Sequence, residues 1–216
     1  MTAPKTFLEH AGASPSTVSP SARDSILVII DAQNEYLDGL LAISKDNIAY
    51  SRPNILKLLQ RYRAAQAPVA HVVHVAGPGE PMFTPDTSLA EIFPELAPLS
   101  DRAGSGKQGD TDFEVLVRKH FPGAFAETTL DAVIKQAGVR KVVLVGYMAH
   151  VCVSTTAREA SQRGYDTFVV ADAVGDRDIP VLGGGKLGAT GEQVTNMVML
   201  ELADIFATVV KTEEVH

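Results

Sequence analysis

Short runs of apolar residues alternate with longer amphipathic segments along most of this chain. The first run, SILVIID at 25–31, is dominated by Ile, Leu and Val and ends in a carboxylate. Five further runs share its branched apolar content: 68–76, 113–119, 141–146, 166–173 and 207–212. Such nearly continuous apolar strands are typical of a parallel sheet that is covered on both faces.

The segments between these runs include four with the residue spacing of helices. They cover residues 53–66, 128–138, 151–164 and 191–206. Pro53 suits a first helical turn, where the missing N–H costs nothing, so the first helix is predicted to begin there. The alternation predicts an α/β fold: a three-layer α/β/α domain with a six-stranded, mainly parallel, Rossmann-like sheet.

The composition fits a single globular domain and argues against two classes of binding partner. The chain has 216 residues, of which 45% are hydrophobic and 21% charged. Its net charge of −7 and the lack of a Lys/Arg-rich run argue against nucleic acid or a membrane surface as partner. The partner that we expect is a small-molecule substrate. A single cysteine cannot form an internal disulfide, which predicts a reducing, cytoplasmic location.

The first residues differ in composition from the rest. Residues 1–23 are rich in Ser, Pro, Ala and Thr and lack the apolar stretch of a signal peptide, so we predict a flexible tail followed by one domain at 24–216. No uninterrupted apolar run reaches the roughly 18 residues that a membrane helix needs.

Three side chains of chemical interest lie at the ends of predicted strands. Asp31 ends the first strand, Lys119 ends the third, and Cys152 follows the fourth at the start of a helix. Ligands of open α/β sheets bind beyond the carboxyl ends of the strands. A helix N-terminus and a nearby ammonium both favour a thiolate, so the sequence predicts an activated nucleophile with Asp31 as its base.

Each of these residues also has an ordinary structural interpretation. A single cysteine is most often a small buried hydrophobe, Asp31 could cap a turn, and Lys119 could be solvated. In a doubly wound sheet, moreover, the third strand is expected at the edge, so Lys119 would have to reach inward on a returning loop.

Three motifs carry a family resemblance. LVIIDAQNEY, VRKHFPGAF and GYMAHVCVSTTAREASQRGYDTFVVADAVGDRD occur in order from about Asp24 onward. They resemble the isochorismatase-like cysteine hydrolases, a superfamily that includes N-carbamoylsarcosine amidohydrolases and nicotinamidases. The resemblance implies the isochorismatase-like hydrolase fold, a catalytic triad of Asp31, Lys119 and Cys152, and a homo-oligomer, either dimer or tetramer.

The resemblance also implies how an oxyanion would be stabilised. It places a cis peptide between Tyr147 and Met148, and an oxyanion hole at the backbone N–H groups of Met148 and Cys152. Four more side chains occupy positions that commonly face the pocket in relatives or lie in the turn beside it, and are predicted to bind substrate: Gln33, Tyr36, Phe125 and His150. An aromatic residue near a strand end is, however, more often part of the core, and His150 could be an exposed helix residue.

No metal or cofactor is predicted. Nicotinamidases commonly carry an Asp-x-His metal pattern that is missing here. His71 and His74 stand an odd number of residues apart in a strand and so point to opposite faces. The G-x-G-x-x-G matches at 104–109 and 183–188 do not follow a strand as a dinucleotide fingerprint would, and are interpreted as loops.

Three functions remain open at this point. The first is hydrolysis of an amide-like C–N bond through a thioester. The second is hydrolysis of the vinyl ether of isochorismate, which some relatives perform without a cysteine. The third is a non-catalytic small-molecule-binding protein with an inert Cys152. The sequence gives neither the substrate nor the role of 77–109, which could be a lid or a subunit contact.

Overall fold

The computed structural model describes residues 3–12, 19–99 and 113–216. Its centre is a six-stranded sheet of β1 (Ser25–Ile30), β2 (Val69–His74), β3 (Glu114–Lys119), β4 (Lys141–Tyr147), β5 (Asp166–Gly175) and β8 (Thr208–Val210). The strands lie in the order β3-β2-β1-β4-β5-β8, and every pairing is parallel. The predicted α/β class and six-stranded parallel sheet are confirmed.

Helices cover the sheet, and a small ribbon extends from it. The α-helices are α1 (Phe7–His10), α2 (Glu35–Asp38), α3 (Lys45–Ala64), α4 (Leu130–Ala137), α5 (Ser154–Gln162) and α6 (Gly191–Ile205). A π-helical turn, Ala149–Val153, joins β4 to α5, and 3₁₀ turns lie at Ser88–Ala90, Pro94–Leu96 and Thr212–Glu214. The ribbon pairs β6 (Ile179–Pro180) with β7 (Leu187–Ala189) in antiparallel fashion.

The sheet separates two hydrophobic cores. Along β1, Leu27 and Ile29 enter the core that contains α3, while the alternate residues Ile26, Val28 and Ile30 enter the core that contains α4, α5 and α6. Both faces of β1 are therefore buried, which explains why its sequence is apolar throughout rather than alternating.

The predicted start of the first long helix is wrong. α3 begins at Lys45, and Pro53 lies inside it rather than in its first turn. The Ser44 side chain caps the helix by accepting a hydrogen bond from the Asn47 N–H at 3.3 Å. The extra turns were missed because their buried face includes the polar residues Asn47 and Ser51 beside Ile48, which weakens the hydrophobic period.

Residues near both ends of the described chain contact the domain. The Ala22 N–H donates to the His216 carbonyl, and the His216 N–H donates to the Pro20 carbonyl. The Phe7 N–H donates to the Asp204 carboxylate at 2.8 Å. No helix in the described ranges is both long and apolar enough to cross a membrane. The flexible tail and the cytoplasmic location stay predictions.

Candidate active site

The order of the strands reverses at β1, which pairs with β2 on one side and β4 on the other. Asp31 follows β1 with a φ of 47° and donates its N–H to the Val72 carbonyl at 2.9 Å. Gly146 stands beside Ile30 across the β1–β4 pair, and a Cβ on it would lie 2.1 Å from the Ile30 carbonyl oxygen. Only glycine permits this approach, which brings the ends of the two strands together.

Lys119 reaches this point from the edge of the sheet. It is the last residue of β3, and its fully buried ammonium lies 2.7 Å from Asp31 Oδ2 and 3.4 Å from Cys152 Sγ. The ammonium also donates to the Phe121 carbonyl at 3.2 Å. The flexible four-carbon side chain itself crosses the end of β2. The returning loop that the sequence analysis required is therefore unnecessary.

The third member of the cluster, Cys152, lies in the π-helical turn after β4 and is only 6% exposed. Burial raises the pKa of its thiol, the Asp31 carboxylate raises it further, and Lys119 only partly offsets them. These surroundings therefore favour the neutral thiol at rest, and an activated Cys152 stays a prediction. The helix dipole favours the charge, but removal of water from the sulfur outweighs it.

Lys119 itself keeps its charge. Burial lowers the pKa of its ammonium, but Asp31 and Cys152 act in the opposite direction, and the pKa lies above its ordinary value. The resting cluster is therefore a buried carboxylate–ammonium pair beside a neutral thiol.

Tyr36 closes one side of this cluster. It is buried, and its ring packs edge-on against Phe83 with centroids 5.4 Å apart and at a tilt against Tyr147 at 5.7 Å. Burial raises the pKa of the Tyr36 hydroxyl, and the Asp31 charge raises it further. The hydroxyl therefore stays protonated.

The backbone before Cys152 follows an unusual path. The peptide bond between Tyr147 and Met148 is cis. The Met148 carbonyl accepts hydrogen bonds from Val151 and Val153 N–H groups at 3.3 and 3.1 Å, which forms the π-helical turn. The Tyr147 hydroxyl lies 2.9 Å from Ser51 Oγ. This contact joins the end of β4 to α3, which covers the face of the sheet opposite to the Cys152 turn.

Comparison with known proteins identifies the family. The family model for the isochorismatase domain matches residues 25–214. This chain belongs to the isochorismatase family. The secreted isochorismatase effector Isc1 of Verticillium dahliae is 50% identical over 210 residues, covering 97% of this chain and 98% of that protein.

Two further relatives show the range of the isochorismatase family. The crystal structure of an isochorismatase from Pseudomonas putida superimposes with a TM-score of 0.85 at 30% identity, covering 99% of this chain and 100% of that one. A ureidoacrylate amidohydrolase of Stutzerimonas stutzeri is 28% identical over 182 residues, which is 74% of this chain and 73% of that protein. The chain is thus an isochorismatase-family hydrolase, and the family includes amidohydrolases.

Gln33 lies beside the cluster but its side-chain amide is engaged with backbone. It donates to the carbonyls of His74 at 3.0 Å and Ala90 at 2.8 Å, and accepts from the His74 N–H at 2.8 Å. Gln33 also forms a bridge with Ile92. These bonds attach residues 90–92 to the end of β2, and a substrate contact for Gln33 stays a prediction.

The structure does not bring Phe125 to the cluster. Its ring stacks on Tyr165 with centroids 6.0 Å apart and lies under the Arg163 guanidinium at 4.7 Å. Both partners lie at the far end of α5 from Cys152. The Phe125 ring is engaged with Tyr165 and Arg163, and a substrate contact for Phe125 stays a prediction.

His150 lies in the same turn as Cys152 and is partnered by a residue that the sequence analysis missed. Its backbone N–H and its Nδ1 both bond to the fully buried Asp176 carboxylate, at 2.8 and 2.7 Å to Oδ2. Asp176 follows β5 directly, as Asp31 follows β1. That shared position after a strand was the signal that could have found it.

The residues considered for metal or cofactor binding lie apart. His71 Nε2 lies 2.9 Å from Glu114 Oε2, whereas the His74 ring packs 4.9 Å from Phe83. Among the described residues, no group of three His, Cys, Asp or Glu side chains could hold a metal ion. The 183–188 glycine motif is exposed; its first four residues lie in the β6–β7 connection and its last two begin β7. The 104–109 motif lies outside the described residues. The absence of a metal or cofactor stays a prediction.

Proposed function

We propose that this chain is a cysteine-dependent hydrolase that cleaves an amide-like C–N bond of a small molecule through a thioester. The observation that carries the proposal is the single ammonium that bridges the other two groups, 2.7 Å from Asp31 Oδ2 and 3.4 Å from Cys152 Sγ. A nucleophile, a base and a charge stabiliser within contact distance are the set that nucleophilic catalysis requires.

The charge state of the cluster indicates how the first step runs. Since burial raises the pKa of the Cys152 thiol, its proton leaves as the sulfur attacks the carbonyl carbon rather than beforehand. Asp31 accepts that proton and Lys119 stays charged, so the cluster exchanges one internal proton without a change in net charge. This suits a buried site, where an uncompensated charge is costly.

The remaining steps use the turn after β4. The oxyanion is bound by the backbone N–H groups of Met148 and Cys152. Asp31 returns its proton to the departing amine, which leaves an acyl group on the sulfur. Asp31 then takes a proton from water, which attacks the thioester, and finally reprotonates the Cys152 sulfur as the acid leaves. This scheme uses no metal or cofactor. In it, Tyr36 lies beside the bound acyl group.

A second candidate function is hydrolysis of the vinyl ether of isochorismate. The observation in its favour is the 50% identity, over 97% of the chain, to the secreted isochorismatase effector of V. dahliae. In that reaction Asp31 first takes a proton from solvent and then donates it to the vinyl carbon. Water adds to the resulting oxocarbenium carbon and returns a proton to Asp31, and the hemiketal collapses by breaking its ether C–O bond, which releases pyruvate and an alcohol. Cys152 then forms no bond to the substrate. If this protein shares its relative's location, the predicted cytoplasmic site of action is wrong.

Two matched variants separate the candidates. Ammonia release is measured over primary amides, carbamoyl compounds and lactams, and pyruvate release is measured from isochorismate, for wild type, D31N and C152A. Thioester chemistry predicts that both variants are inactive and that intact-protein mass spectrometry of acid-quenched wild type shows an acyl adduct on Cys152. Vinyl ether chemistry predicts that D31N is inactive while C152A retains turnover.

A further outcome would overturn both candidates. If wild type turned over none of these compounds yet bound one of them by calorimetry, the chain would be a non-catalytic binding protein. D31N and C152A replace side chains by groups of similar or smaller size, so we expect both variants to remain folded. Circular dichroism and thermal melting check this.

A further inference from the structure

Asp176 and His150 form a second polar unit at the rim of the Cys152 turn. The Asp176 carboxylate is fully buried and accepts three kinds of N–H: the His150 backbone at 2.8 Å, the Arg177 backbone at 2.8 Å, and the His150 ring. Ring atom Nδ1 lies 2.7 Å from Oδ2 and 2.9 Å from Oδ1. The scheme under Proposed function uses neither residue.

The geometry determines which ring nitrogen carries hydrogen. An ionised carboxylate only accepts hydrogen bonds, so Nδ1 of His150 must be the donor. The other ring nitrogen, Nε2, is then the atom left for a ligand, and in a neutral ring it is an acceptor. A buried carboxylate behind an imidazole commonly fixes its tautomer and orientation in this way.

His150 stands two residues before the reacting Cys152, in the same π-helical turn. Its neighbours in the turn, Ala149 and Cys152, are buried, whereas the His150 side chain is 28% exposed. The Asp176–His150 unit therefore forms a polar and partly exposed side of the turn that carries the nucleophile.

We propose that His150 is a substrate-positioning residue, held by Asp176, whose Nε2 accepts a hydrogen bond from an N–H or O–H group on the acyl part of the substrate. This proposal rests on the hydrolase function proposed above, because it assigns a role in that same site. It predicts a preference for hydroxylated or N–H-bearing acyl groups over their methylated analogues. A site built to bond a substrate N–H or O–H rejects analogues that lack it.

The first test needs no substrate. Two-bond ¹H–¹⁵N correlation spectra of the histidine rings report which ring nitrogen carries hydrogen. The His150 signal is assigned by its loss in the H150Q variant. H10Q, which changes an exposed histidine, is the control. Wild type should show one Nδ1–H tautomer, and D176N should show a tautomer mixture like that of free imidazole. An Nε2–H tautomer in wild type, or an unchanged signal in D176N, would overturn the proposal.

The second test uses substrates from the ammonia-release screen, paired so that each N–H or O–H compound has its methylated analogue. Wild type should prefer the donor-bearing member by about tenfold in kcat/KM. H150L should lose this preference, mainly through KM, and H150Q, whose amide oxygen can accept, should recover part of it. A preference that is unchanged in H150L would overturn the proposal. If D176N fails to fold, the partly exposed His150 variants still decide the question.

The two tests also distinguish failures. If no compound releases ammonia, the hydrolase function fails, while the ring spectra still show whether Asp176 fixes His150. If ammonia is released without any dependence on His150, the hydrolase function stands and this inference is wrong.

Discussion

Strand β3 carries a charged group at each end, the half-buried Glu114 and the fully buried Lys119, and their surroundings differ. At its start, Glu114 accepts hydrogen bonds from Arg63 at 2.7 and 3.0 Å, from His71 at 2.9 Å and from the Leu99 N–H at 3.3 Å. At its end, Lys119 faces Asp31, and within the described residues neither Asp31 carboxylate oxygen has a well-aligned hydrogen bond. The 2.7 Å contact is thus an ion pair with poor hydrogen-bond geometry.

This difference separates a structural network from a reactive one. The Glu114 carboxylate accepts four hydrogen bonds, so it holds β3 to its neighbours. Asp31 keeps acceptor capacity free next to a thiol that must lose a proton. Unsatisfied buried polar groups are costly, and they persist where function uses them.

The largest expected effect is on turnover by Cys152 variants. C152A should lower kcat for amide hydrolysis by roughly 10⁴-fold or more, because loss of a nucleophile removes the whole covalent path. Steady-state ammonia release measures this, with thermal melting as the control for folding. A C152A enzyme within tenfold of wild type on amides would contradict the thioester scheme.

Breaking the Asp31–Lys119 pair should lower both activity and stability. K119M leaves a buried carboxylate without a counter-charge and should reduce the free energy of unfolding by about 3–5 kcal/mol, measured by urea denaturation. The double variant D31N/K119M removes both charges, and should recover much of that stability while staying inactive. A double variant no more stable than K119M would show that the pair is not the source of the loss.

Weakening the network at the other end of β3 should affect stability without comparable loss of activity. E114Q replaces the charge that Arg63 and His71 bond, and should cost about 2 kcal/mol in urea denaturation at pH 7. Its kcat should remain within about threefold of wild type, because Glu114 lies at the opposite end of the strand. A far larger loss of kcat would remove the distinction between the two ends.

The same network predicts a pH dependence. Burial alone would raise the pKa of Glu114, but hydrogen bonds from His71 and Arg63 outweigh it and lower the pKa from 4.5 to about 2. Because the folded value is the lower one, its stabilisation is complete above about pH 4.5 and is lost as the pH falls toward 2. Over that range wild type should lose stability more steeply than E114Q, as acid titration followed by circular dichroism would show.

The smallest effect concerns alkylation of the resting thiol. Since burial and Asp31 raise the pKa of Cys152, iodoacetamide should label it several-fold more slowly than free cysteine at pH 7, as measured by intact mass. Urea-unfolded protein is the control. Labelling faster than free cysteine would mean that the thiolate already exists before substrate binds.

Sequence patterns predicted the sheet and its reactive edge because both depend on local information. Apolar runs located every strand of the main sheet, and the rule that ligands bind beyond strand ends singled out Asp31, Lys119 and Cys152. The ionisation of Cys152 could not be read in this way. It depends on how much water the folded chain removes from the sulfur, and that is set by residues distant in sequence.

The direction of a side chain is a second property that sequence patterns do not predict. Phe125 and His150 both belong to recognisable motifs, yet one ring packs against Arg163 and the other is held by Asp176. A motif gives the position of a backbone, whereas the direction of a side chain follows from partners brought in by the fold. The position of Asp176 directly after β5 marks it as a candidate, but only the fold shows that it bonds His150.

The absence of a single methyl group at position 146 has a practical consequence for anyone who wishes to change what this protein accepts. Any other amino acid there would push against the Ile30 carbonyl and shift the nucleophile's turn away from its base. Libraries that aim at new specificity should therefore hold this glycine constant and place their diversity at the rim, where a change alters recognition without disturbing the alignment of the reacting groups.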